Sequence, residues 1–104
     1  MYERSSFEAT LAAAAGDDAS LLAELKQSFG QSLAYHVDLL SRARCDGNWF
    51  VAAQRIRGLA ASFHATELMQ MADTALRSAP GDPVILRELH GFIEKSGFGR
   101  ARRA

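Results

Sequence analysis

Pro80 and Pro83 are the only prolines in the 104 residues, and no stretch alternates β-branched with polar residues at period two. Away from that one interruption the apolar residues return at three- and four-residue steps, the spacing of helices that bury one stripe each. The chain is therefore expected to be all-α. Ser5-x-x-Glu8 has the form of a capping box, opening a short helix through the alanines that stops at Gly16. Asp17 and Asp18 then cap a long helix, in which Leu22, Leu25, Phe29, Leu33, Val37 and Leu40 form one stripe.

The stretch Cys45-Asp46-Gly47-Asn48 is a turn signal, so the third helix, over residues 49–64, should run back along the second. A fourth helix is expected from Thr66 to Ala79, with Leu68, Met71, Ala72 and Ala75 inward. Asp82-Pro83 marks the start of a last helix with Leu86, Leu89 and Ile93 on its stripe, and Gly97 marks its stop. The architecture predicted is an up-and-down four-helix bundle with an additional short N-terminal helix. Residues 1–97 form its single domain, and 98–104 form a basic, mobile tail.

Composition narrows the function. A 48 % hydrophobic, 23 % charged chain with a formal net charge of zero suits an ordinary folded domain and gives no bulk charge for nucleic acid. The longest apolar run, Leu11 to Ala15, is too short for a bilayer, and the N-terminus lacks a signal-peptide pattern. One cysteine, Cys45, fits a reducing, cytoplasmic setting. His36, His64 and His90 have no metal-ligand spacing, and no serine or carboxylate pair is placed for catalysis. Neither an enzyme nor a cofactor is expected.

Gly58 is the residue that asks for an explanation, because a glycine inside a helix costs about 1 kcal/mol relative to alanine. At 100° per residue, Trp49, Ala52, Ala53, Ile56, Ala60 and Phe63 fall together toward the core. Phe50, Gln54, Arg57, Gly58 and Ala61 fall on the opposite side. A bare patch beside an exposed apolar residue is the form of a surface that another protein's loop approaches closely.

The run Ala53-Gln54-Arg55-Ile56-Arg57-Gly58-Leu59-Ala60-Ala61, followed by Ala65 and Leu68, resembles the histidine-containing phosphotransfer (HPt) domains of bacterial phosphorelays. Their motif reads approximately A-H-x-L-K-G-S-[SA]-[AG]-x-x-x-G-A-x-x-L, and Gly81-Asp82 before the last helix also recurs there. The likeness extends from Leu22 to Lys95, with Leu76 departing from an acidic residue often found in the family. It implies a four-helix bundle acting in a two-component system. Its partners would be response-regulator receiver domains or a hybrid histidine kinase, with no part played by nucleic acid or membrane.

The resemblance puts Gln54 at the phosphoacceptor histidine, Arg57 at the lysine of the motif and Gly58 at the glycine that keeps the site open. A neutral amide cannot attack an aspartyl phosphate, whereas a cation one turn on can still steady phosphoryl or carboxylate oxygens. The implied function is receiver binding without phosphotransfer, through Phe50, Gln54, Arg55, Arg57, Gly58 and Ala61, aided by the charges of Arg42 and Arg44. His64 lies about 15 Å along the axis from Gln54 and about 80° around it. It replaces the glycine that ends this helix in the family, so an altered turn is expected. His36 should lie level with Gln54 across the hairpin, as a boundary histidine or a substitute phosphoacceptor. A helical adaptor unrelated to receivers is the remaining alternative.

Overall fold

The computed structural model describes residues 2–96, with side chains from residue 7 onward. The expected tail, 98–104, and the stop at Gly97 lie outside the described residues. Five helices follow in order, α1 (Tyr2–Ala15), α2 (Ala19–Arg42), α3 (Asp46–Ser62), α4 (Thr66–Leu76) and α5 (Pro83–Ser96), and no strand occurs among the described residues. The protein is all-helical. Each of α2 to α5 packs on the next, α5 closes back on α2, and α1 lies against α2 and α4.

Local chemistry accounts for most boundaries. Gly16, at φ +66°, takes the left-handed conformation that ends α1, and its N–H donates to the Ala12 carbonyl at 2.9 Å. Asp18 caps α2 by accepting the Leu21 N–H at 3.0 Å. At α5, Pro83 occupies the first helical position and Asp82 accepts the Val84 N–H at 2.9 Å.

Helix α3 ends at Ser62, two residues ahead of the expected 64, and three other boundaries differ from expectation. Helix α1 begins at Tyr2, so Ser5 is inside it and no capping box opens it there. Nothing between Tyr2 and Ser5 breaks a helix, and a cap motif gives way where the preceding chain can continue helically. Helix α3 begins at Asp46, not at residue 49, which places a carboxylate in its first turn against the positive end of the dipole. The hairpin turn is correspondingly short. Helix α4 ends at Leu76, ahead of Ala79, because Pro80 disfavours a helical Ala79 and the Ala75 carbonyl is taken instead by Trp49 and Ser78.

The core is a continuous cluster that includes Phe29, Leu33, Val37 and Leu40 of α2, Trp49 and Ile56 of α3, Leu68 of α4, and Ile85 and Leu89 of α5. Leu22 and Leu25, at the start of the α2 stripe, are half-buried, as are Met69 and Met71, which pack against the core as fillers. Phe7 brings α1 onto the bundle end, its ring centroid 4.9 Å from Phe29, which in turn lies 5.0 Å from Phe63.

Candidate functional site

Small residues let α3 sit deep between its neighbours. Ala52, Ala53 and Ala60 are buried on its inner face, so the backbones of α2 and α4 come close on either side. Trp49 fixes the start of the helix. It is 2 % exposed, and its indole N–H donates to the Ala75 carbonyl near the end of α4 at 2.7 Å. With this seating, the side of α3 opposite the core is presented to solvent over its whole length.

Gln54 and Gly58 occupy that outer face, both exposed. A Cβ built on Gly58 would meet nothing within 4 Å, so no internal packing requires the glycine. Phe50 is 50 % exposed, and so is Val51, a further apolar residue of this face whose position on the helical wheel is outward. Ala61 is half-buried toward the edge of the face. Two apolar side chains therefore stand over a bare stretch of helix, with one neutral amide between them and the glycine.

The two arginines of α3 flank this face on opposite sides. Arg57 is not a free cation of the outer face, as the wheel alone suggests. Its Nε–H donates to Asp73 Oδ1 of α4 at 2.6 Å, with the side chains 40 % and 38 % exposed. On the other side Arg55, exposed, lies close enough to α2 for its charge to act on His36. Arg42 pairs with Asp38 on its own helix at 3.2 Å, and Arg42 and Arg44 are both exposed at that end of the hairpin.

His36 is a half-buried residue of α2, stacked edge-on to Tyr35 with ring centroids 5.2 Å apart. Among the described residues its Nδ1 is enclosed without a hydrogen-bond partner. Burial and, secondarily, the Arg55 charge hold its pKa below the ordinary histidine value of 6.5. The unfolded chain thus takes up this proton first as pH falls. Stability from the neutral ring is complete above about pH 6.5 and declines below it until the folded ring also protonates. In melts from pH 7.5 to pH 5, His36→Gln is expected to lose less stability than the native chain, and equal losses would contradict this placement.

The turn after α3 is closed by Ala65 N–H donating to the Ala60 carbonyl at 2.8 Å and His64 N–H to the Ala61 carbonyl at 3.2 Å, the paired bonds of a Schellman motif. His64 itself supplies the left-handed residue, at φ 55°. A non-glycine residue pays roughly 1–2 kcal/mol for this conformation. The ring is held by a 2.9 Å hydrogen bond between its Nδ1 and Thr10 Oγ1, which ties the turn to α1 and fixes the histidine away from the Gln54 face.

Gly58 and Gly91 give a direct measure of what each glycine is for. Both are exposed within helices, and a Cβ added at either would meet no atom within 4 Å. Each single change to alanine is expected to raise the unfolding free energy by about 0.5–1 kcal/mol in denaturant titrations. A loss of stability for Gly58→Ala would show that α3 needs the glycine for its own fold.

Among the described residues no three His, Cys, Asp or Glu side chains gather in a metal-sized group, and no helix is long and apolar enough to cross a membrane. No family model, curated protein or solved structure matches the chain.

Proposed function

We propose that the protein is an HPt-like signalling domain that docks response-regulator receivers through the outer face of α3 and carries no phosphoryl group at Gln54. In this reading α2 to α5 are the up-and-down four-helix bundle, their short connections making successive helices antiparallel, and α1 is the additional N-terminal helix. The observation that carries the proposal is the open space over Gly58. A helix-destabilising residue stands where no packing among the described residues needs it, one turn from the amide at Gln54.

Phe50 and Val51 supply apolar area for such an interface, and Gln54 supplies a neutral donor and acceptor. Asp73 engages one of the five N–H donors of Arg57, so the remaining donors can face an acidic pocket. Without a nucleophile, binding would occupy a receiver or compete with an active phosphotransfer protein for it. The setting is a two-component system of the cytoplasm, with a receiver or a hybrid kinase as partner.

A titration of isolated receiver domains tests this reading. Saturable binding is expected, weakened more than about tenfold by Gly58→Gln, whose side chain would project from the face, and left unchanged by Gly91→Gln. Absence of binding to every receiver of the source cell would overturn the proposal. A second reading has one observation in its favour. Burial and, secondarily, the Arg55 charge disfavour the protonated form of His36, a tendency that suits a phosphoacceptor whose Nε2 takes the group. Acid-labile phosphate on the native chain that disappears in His36→Gln would establish it.

A further inference from the structure

We infer that Asp73 is an internal competitor for Arg57, and that this contact sets how strongly the α3 face attracts an acidic partner. The inference rests on the receiver-docking reading and deepens it. Asp73 belongs to α4, yet its carboxylate reaches across to α3 and accepts from Arg57 Nε at 2.6 Å. The guanidinium stands one turn below Gln54 on the same helix, at the edge of the patch left bare by Gly58. A carboxylate arriving from a partner must therefore share this guanidinium with one already bound to it, and it meets the negative charge of Asp73 as it approaches.

The pair is poorly suited to be a structural anchor. With side chains 40 % and 38 % exposed, it sits in the range where solvent screening leaves an ion pair little net value to the fold. Its effect on a neighbouring interface is larger in relative terms, because docking excludes water and strengthens the charge interactions that remain. Arg57 is oriented across the α3–α4 groove by the Nε bond, while its terminal nitrogens keep donors for a second acceptor. Asp73 thus both positions the cation and attenuates it.

The consequence is an affinity limited by the chain's own carboxylate. Asp73→Asn keeps the shape and an acceptor oxygen but removes the charge. It should tighten binding of an isolated receiver domain with its acidic phosphorylation pocket about three- to tenfold at roughly 50 mM salt, chiefly by faster association. The gain should shrink to less than about twofold at 0.5 M salt, where the screening length is only a few ångströms.

The test is a binding titration at both salt concentrations with the native chain, Asp73→Asn, Arg57→Gln and the double variant. Melting curves confirm that each is folded, and Asp73→Ser replaces the asparagine variant if that one is not. The expected result is tighter binding by Asp73→Asn, with at least half of the gain lost once Arg57 is also replaced. Unchanged or weaker binding by Asp73→Asn, or an equal gain in the Arg57→Gln background, would overturn the inference while receiver docking stands. No binding by any of the four forms would overturn the docking reading and the inference with it.

Discussion

Trp49→Ala is expected to lower the unfolding free energy by about 3–5 kcal/mol, the range for removing a buried aromatic side chain from a core. Small domains hold roughly 5–15 kcal/mol in all, so the variant would lose between about a fifth and all of its stability and melt about 15–30 °C lower. The size of the effect follows from position. Trp49 is 2 % exposed at the start of α3 and reaches the end of α4 through its 2.7 Å bond to the Ala75 carbonyl. Its loss would open a cavity and also release the contact that holds the two helices in register.

Trp49→Phe separates these contributions. The smaller ring keeps most of the packing, and the Ala75 carbonyl still accepts the Ser78 N–H at 3.0 Å, so no backbone group is orphaned. A loss of about 1–2 kcal/mol is expected. Circular-dichroism melts check both variants, because the changes remove the only tryptophan as a fluorescent probe. A fall below about 1 kcal/mol for Trp49→Ala would mean that α3 is seated by something other than this side chain.

Gln54→His is expected to convert a chain that takes up no label at this position into one that is labelled stoichiometrically by a phosphorylated receiver. The exposed side chain lies four residues before the bare Gly58 and three before Arg57, so an imidazole there would meet the aspartyl phosphate with a cation alongside. Its ring nitrogen would attack phosphorus, the P–O bond to the receiver's aspartate would break, and that aspartate would leave as a carboxylate. The substitution touches no core atom, and its effect on stability should stay within about 0.5 kcal/mol. The gain is therefore chemical, from replacing an amide without basic character by a nucleophile.

Periodicity made the helices and their inner faces legible in the sequence. Trp49, Ala52, Ala53, Ile56 and Ala60 are all buried where the wheel placed them, and the Asp82-Pro83 start of α5 follows from turn chemistry that acts within two residues. The register between helices was less accessible. Asp73 and Arg57 are 16 residues apart on different helices, and their pairing depends on how α3 and α4 are offset, which no local pattern encodes. The same holds for the Trp49 bond that helps to end α4 early, and for the Thr10 contact that accompanies a histidine where glycine is the usual choice. Val51 is a different case, since its outward position follows from the wheel alone.

In the docking proposal, the outer face of α3 is an intact surface lacking only the nucleophile. Incubating the native chain and Gln54→His with a panel of phosphorylated receivers, while following both binding and the fate of the label, tests it most directly. Saturable binding by both proteins is expected, with label on the variant and none on the native chain. Label on the native chain, or no binding by either form, would contradict it.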